Sequence, residues 1–224
     1  MSYDLHGLWD KGNIWVGAFL NAHTNLTEIT EYLDLFWRND ILPSRMNLGL
    51  AFYPRTFMVA DKNCVTPGGS GGCMFDSVGE AGPCSRDDIG GTLTNPELAD
   101  QIRRKGTTPR LDVAAAVKIA VVGGGRKWIA YDDKESWQIK IDFARKSCFG
   151  GLMVWAVSQD DTRGTWSRKL QEVTEYRSPA TLKLALNSGG GQTVEPSTPR
   201  FYEINATGPT AAKDARLDSP PSRG

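Results

Sequence analysis

The side chains able to do chemistry in this chain fall into a few short runs. Near the start, Tyr3 and Asp4 set a phenol beside a carboxylate, with His6 and Trp9 just after them. A phenol can donate to a carbonyl oxygen, and an ionised carboxylate can hold a developing positive charge. Read by pattern alone, however, the same pair is a core tyrosine and an aspartate capping the next loop. Asp132-Asp133-Lys134-Glu135 is the acidic cluster that most invites a catalytic reading. His6 and His23 make no metal set with any cysteine or carboxylate pattern and read as local hydrogen-bonding residues. Trp155, inside Met153-Val154-Trp155-Ala156-Val157, reads first as a core residue of an apolar strand.

Four cysteines, Cys64, Cys73, Cys84 and Cys148, form a second group. Three of them punctuate a Gly/Pro-rich stretch that has little apolar material to hold its shape. A zinc site would call for closely spaced cysteine pairs and histidine, and the spacing offers neither, so no metal is expected. Free thiols in a reducing compartment are one reading. Two disulfides in an oxidising compartment fit better, with three connectivities that the sequence does not rank. The sequons at Asn25 and Asn205 agree with secretion as candidate glycosylation sites.

The elements that must position these residues are legible in part. Met1–Gly7 is short, mostly apolar and closed by glycine, which predicts a buried strand with its polar residues emerging at one end. From Thr24 to Asp40 the period is helical: Asn25-Leu26-Thr27-Glu28 is a capping box, and Ile29, Leu33 and Phe36 recur on one face. Met46–Tyr53 suits a strand buried on both faces. Residues 56–131 break the rhythm and read as a small α+β insertion. In it, Asn95 caps a helix with Pro96 at the first position, and Ala116–Val122 pairs with Lys127–Tyr131 across Gly123-Gly124-Gly125. Ser136 then caps a helix to about Ser147, Gly150–Val157 is a strand, and Gly164–Tyr176 a last helix. Buried strands alternating with amphipathic helices predict a parallel α/β sheet. Beyond residue 178 the period is lost, and 179–224 reads as a flexible tail.

The chain has 224 residues, 26 basic and 26 acidic, with 40% hydrophobic residues and seven tryptophans, which excludes a wholly disordered chain. The balanced charge gives no reason to expect nucleic acid or an anionic membrane as partner, and nothing implies an oligomer. No apolar run approaches the ~20 residues of a membrane helix, and Met1–Asp10 carries no signal peptide. Three strands and three helices would leave open sheet edges and an uncovered apolar surface, so part of the domain is expected to be missing.

MSYDLHGLWD, LGLAFYPRTF and GGLMVWAVSQDD, in that order, resemble the last three strand motifs of glycoside hydrolase family 18, and most closely its fungal killer-toxin-like chitinases. The cysteine-bearing insertion, the WIAYDDKES segment and Cys148 match as well, and the resemblance covers about residues 1–178. It implies a (β/α)₈ barrel of which this chain carries strands six to eight, with the α+β insertion before the last helix and strand; a whole barrel needs ~250 residues. It also implies secretion of the parent protein, chitin or a chito-oligosaccharide as partner, and no cofactor.

Family 18 works by substrate assistance. The acetamide carbonyl of N-acetylglucosamine attacks the anomeric carbon to give an oxazolinium ion while a glutamic acid protonates the leaving oxygen. The resemblance assigns Tyr3 as donor to the acetamide oxygen and Asp4 to the polar network around the reacting sugar. Trp155 matches the hydrophobic floor and Trp9 a stacking residue on the leaving-group side. Tyr53 and Arg55 match the tyrosine and arginine of an FYGR motif, with Pro54 in place of its glycine. Met1 matches the strand-six methionine. Asp132-Asp133-Lys134-Glu135 matches a loop, so it reads as structural, and Asp160-Asp161 is expected to order a loop.

No D-x-x-D-x-D-x-E occurs in the chain, and that motif carries the family's acid. General acid catalysis is worth about 10²–10⁴-fold, so the chain alone is expected to be inactive. The leading reading is therefore the C-terminal part of a chitinase. The rivals are a non-catalytic chitin or oligosaccharide binder using Trp155, Trp9 and Tyr53, and a disulfide-held interaction module built on 56–131.

Overall fold

The computed structural model describes residues 1–68, 71–85 and 91–174. The expected tail at 179–224 and the sequon at Asn205 lie outside them. The first helix, α1 (Leu26–Trp37), starts where the capping box places it: Asn25 accepts from the Thr27 N–H, and its Nδ2 donates to Glu28 at 2.6 Å. Leu26, Ile29 and Leu33 are buried, while Phe36, expected on the same stripe, stands partly in solvent.

Strand β1 (Asn47–Ala51) pairs in parallel with β7 (Gly151–Trp155), in register from Asn47 with Gly151 to Ala51 with Trp155. Glycine is needed just before β7, because a Cβ on Gly150 would lie 2.2 Å from the Ser44 carbonyl oxygen. β1 is buried along Leu48–Ala51, whereas β7 is only half-buried.

The strand expected at Met1–Gly7 does not form. Asp4 has φ +58°, in the left-handed region, which interrupts the extended run that a ladder needs. The segment is instead tied alongside β1 through a side chain. Ser2 Oγ donates to the Gly49 carbonyl at 2.8 Å and accepts from the Gly49 N–H at 2.7 Å. Leu5 N–H donates to the His23 carbonyl. Among the described residues, this sheet therefore has two strands rather than three.

Helices α3 (Lys134–Lys146) and α4 (Thr165–Thr174) close the core on this sheet. Leu48, Leu50 and Phe52 pack with Ile29 and Leu33 of α1, Trp137 and Ile141 of α3, and Leu170 and Val173 of α4; Phe52 stacks on Trp137 at 5.3 Å. The cap of α3 is Asp133, not the expected Ser136. Asp133 accepts from the Glu135 and Ser136 N–H groups, and Ser136 Oγ accepts the Asp133 N–H in return.

Between β1 and β7 in the chain lies a five-stranded antiparallel sheet of order β3-β2-β6-β5-β4. Its strands are β2 (Arg55–Val59), β3 (Phe75–Val78), β4 (Arg110–Asp112), β5 (Val117–Val122) and β6 (Lys127–Tyr131). The expected hairpin is β5–β6, turned by Gly123, Gly124 and Gly125 at positive φ. One face packs Phe57, Phe75 and Trp128 under Leu20; the other takes Leu98 of α2 (Asn95–Lys105). The cap of α2 is Thr94, one residue before the expected Asn95, and Glu97 completes its capping box.

Candidate functional site

The end of β1 and the start of β2 bring Tyr53 and Arg55 to the left-handed bend at Asp4. Tyr53 donates its hydroxyl to Asp4 Oδ1 at 2.6 Å, and Arg55 Nε donates to the same oxygen at 2.8 Å. His23 Nδ1 lies 3.4 Å from that oxygen too. Burial alone would raise the Asp4 carboxyl. The adjacent His23 side chain, donation from Arg55 and Tyr53, and the Arg55 charge instead hold it well below the usual carboxylate range. Asp4 is therefore a permanent anion near neutral pH and cannot serve there as a proton donor.

The phenols around it are held protonated. Burial raises the Tyr53 hydroxyl, and its bond to the Asp4 anion raises it further. Burial and the same negative charge raise Tyr3. The Tyr3 ring meets Tyr53 edge-on at 6.3 Å and sits over Gly49, where a Cβ would come within 2.8 Å of it. Its hydroxyl faces the Met153 sulfur at 4.0 Å.

The Trp9 ring lies over the Arg55 guanidinium at 4.6 Å, and half of its surface is open to solvent. Trp9 rides on a 3-10 turn, Leu8–Gly12, which His6 anchors. His6 Nδ1 meets Asp10 at 2.9 Å and its Nε2 meets Glu28 of α1 at 2.6 Å. Burial pulls the His6 pKa down, but the two carboxylates outweigh that and raise it to about 9. Trp155 closes β7: its carbonyl accepts the Phe52 N–H at 2.8 Å, which fixes the backbone, while the ring is 58% exposed. A tryptophan that reads as core in the sequence thus faces solvent.

Residues 1–160 match Glycosyl hydrolases family 18. The chain belongs to that family. Among its relatives, a probable chitinase, LysM11 of Penicillium expansum, is 30% identical over 175 residues, covering 70% of this chain and 15% of the relative. An oviduct-specific glycoprotein of Mesocricetus auratus is 30% identical over 169 residues, covering 74% and 23%. Among solved structures, a class V chitinase from Nicotiana tobaccum superposes with TM-score 0.64 at 17% identity, over 77% of this chain and 47% of that one. YKL-39, solved in the presence of chitooligosaccharides, gives TM-score 0.64 at 21% identity over 77% and 48%. At such identities the structural likeness shows the fold, that of family 18 chitinases. The chain spans less than a quarter of these two relatives and about half of these solved chains.

In this family 18 chain, Tyr3, Asp4, Trp9, Tyr53 and Arg55 join one contact network, and Trp155 adjoins it through the backbone of Phe52. Pro54 does not displace its neighbours, since both reach Asp4. Met1 is outside the network, exposed at the rim of a small groove with Leu5, Tyr32 and Met46. His23, which the sequence reading treated as merely local, is fully buried against Asp4 with its ring 5.0 Å from Tyr53. The signal that could have placed it is the apolar Ala18-Phe19-Leu20 run shortly before it, which the structure buries around Leu20. Burial lowers the His23 pKa, so its imidazole is neutral near pH 7.

The acidic cluster is structural, as read. Lys140 Nζ meets both oxygens of buried Asp132 at 2.6 and 2.7 Å, and Asp133 is the α3 cap. Asp160 and Asp161 accept from the N–H groups of Thr165, Trp166 and Ser167 and so order the entry to α4. The expectation of two disulfides is corrected to one. Cys64 bonds to Cys73, while Cys84 and Cys148 are exposed free thiols. Each free cysteine is held at a different helix end: Cys84 N–H donates to Glu97 at the start of α2, and Cys148 N–H to Arg145 at the end of α3. Asn25 serves as the α1 cap, so a glycan there would compete with that bond. No group of three or more potential metal ligands occurs among the described residues.

Proposed function

We propose that this chain is the C-terminal part of a family 18 chitinase that binds β-1,4-linked N-acetylglucosamine and contributes the sugar-holding side of its active site. In this reading, β1 and β7 are the last two barrel strands, the antiparallel sheet is the insertion between them, and Met1–Gly7 runs where the preceding strand would lie. The observation that carries it is the convergence of Tyr53, Arg55 and His23 on the Asp4 carboxylate, beside two solvent-facing indoles, Trp9 and Trp155.

Each residue has a task that its environment supports. The flat ring of Trp155 offers an apolar floor to the C–H face of a pyranose, and Trp9 a second platform. Tyr3, held protonated, donates to the acetamide oxygen and turns it toward the anomeric carbon. Asp4, held ionised, stabilises the positive charge that grows on the acetamide as the oxazolinium forms. The proton for the leaving oxygen must come from a carboxyl outside this chain, because Asp4 is ionised and no D-x-x-D-x-D-x-E is present. The chain alone therefore binds without cleaving. The Cys64–Cys73 bond supports an extracellular setting.

Incubation of the chain with chitin tests both parts. It should stay on the polymer, release no soluble sugar, and lose retention on Trp155→Ala. Sugar release at an ordinary enzyme's pace would overturn the assignment of roles, and unchanged retention of the Trp155 variant would remove the sugar floor.

A further inference from the structure

Apart from the Asp4 network, a cavity lies beside the segment that carries His6. It holds about 520 Å³ and sits between the N-terminal turn of α1, the loop before it and the insertion sheet. That volume is in the range of small-molecule sites, about 300–1,000 Å³. None of Tyr3, Asp4, Trp9, Tyr53, Arg55 and Trp155 lines it; His6 is the one wall residue that also anchors the Trp9 turn. Its floor is apolar, with Val117 and Ile119. Its rim carries Trp15, whose indole is 89% exposed although its backbone is fastened, Asn13 Oδ1 accepting the Trp15 N–H at 2.8 Å. Asn21 and Asp112 add an amide and a carboxylate.

The charges of the wall select the ligand class. The Glu28 carboxylate is committed on both oxygens, to His6 at 2.6 Å and to Asn25 at 2.6 Å, and both His6 nitrogens are engaged. Asp112 Oδ1 accepts the Ala115 N–H at 3.1 Å. An anion would meet two carboxylates here, and a divalent cation would find the Glu28 oxygens already taken. A purely apolar ligand would strip water from the polar rim without replacing its hydrogen bonds. What suits the site is neutral and hydroxyl-rich, with one flat C–H face for the indole and a methyl group for the floor. We propose that this cavity is a second saccharide site, separate from the Asp4 network and Trp155, that takes N-acetylglucosamine units of a chito-oligosaccharide against Trp15.

This proposal shares with the proposed function only the class of ligand, so the two can be separated in one calorimetric experiment with chitotriose and the 224-residue chain. Two equivalents should bind. Trp15→Ala, which alters an exposed side chain, should weaken one of them by about tenfold or more and leave the other intact. Ala114→Phe, which places a ring at the exposed mouth of the cavity, should do the same. Trp155→Ala should remove the other equivalent. Two equivalents that survive both Trp15→Ala and Ala114→Phe would overturn the second site. A single equivalent lost on Trp155→Ala would overturn it as well and leave the proposed site at Trp155 standing. A single equivalent lost on Trp15→Ala and kept by Trp155→Ala would support the second site and sink the assignment of Trp155 as a sugar floor.

Discussion

Replacing Asp4 by asparagine isolates the charge at the centre of the site. Asparagine tolerates the left-handed backbone at this position and keeps an acceptor oxygen where Oδ1 now stands. The Tyr53 and Arg55 bonds to that oxygen, 2.6 and 2.8 Å, remain geometrically possible but lose their ionic partner. A hydrogen bond to a charged group is worth about 1.5–3 kcal/mol, against about 0.5–1.5 for a neutral one. Two weakened bonds, one of them from an Arg55 side chain only 7% exposed, give a loss of about 2–3 kcal/mol. At roughly 2–4 °C per kcal/mol for a chain of this size, the melting temperature should fall by roughly 4–12 °C at pH 6. The pH dependence has a definite sign. The Asp4 carboxyl is held below its ordinary value of 3.8, so its stabilisation is present above that pH and is lost as the pH falls toward the lowered folded-state value. The gap between the native chain and Asp4→Asn should therefore be constant from about pH 5 to 7 and close on acidification below about 4. Denaturation followed by circular dichroism at stepped pH reads this directly. Equal stability at pH 6, or a gap that widens toward pH 3, would refute the claim that the network is built around an anion.

Three further outcomes concern His6 and the cysteines. His6→Gln should destabilise the chain by about 2 kcal/mol at pH 6 through its lost bonds to Asp10 and Glu28. Because the folded His6 pKa is raised from 6.5 to about 9, that difference is whole below pH 6.5 and shrinks as the pH rises through about 9, which a stability series from pH 6 to 10 would check. Thiol titration of the native chain should find two reactive groups, Cys84 and Cys148, and four after reduction in denaturant; no native thiol at all would contradict the single Cys64–Cys73 bond. Reducing that bond should cost about 2–3 kcal/mol, in the chain-entropy account of a short loop.

The elements that sequence predicts well here are those whose determinants lie within one turn of chain. Asn25 and Glu28 announce α1, and the three glycines at 123–125 announce the β5–β6 hairpin, since cap and turn chemistry need no distant partner. The misses are choices among near-equal local options. Asp133 and Ser136 can each cap α3, and reciprocity decides, because Asp133 finds a partner for its own N–H three residues on. Apolar pattern favours a strand at Met1–Gly7, but pattern does not report the left-handed bend that aims Asp4 at Tyr53 and Arg55. Cysteine count allows two bridges, and only the pair that shares one loop closes.

The site divides in the same way, and the division bears on chemistry. The family motifs named Tyr3, Asp4, Tyr53 and Arg55, but not what state they would be in; that state is set by contacts across the chain, including His23, nineteen residues from Asp4 in sequence. Donation from Tyr53 and Arg55 to one carboxylate oxygen, with the His23 ring beside it, keeps Asp4 ionised and disqualifies it as an acid near neutral pH. A carboxyl that gives up a proton near neutrality needs the opposite surroundings, buried and poor in donors. Asp133 is pushed upward by burial, yet it caps α3 beside Lys118 rather than facing the indoles. A substrate-assisted reaction needs an anion and an acid in unlike environments a few ångströms apart. In the proposed reading the group around Asp4 supplies the anion, and the acid falls to a carboxyl other than those gathered there.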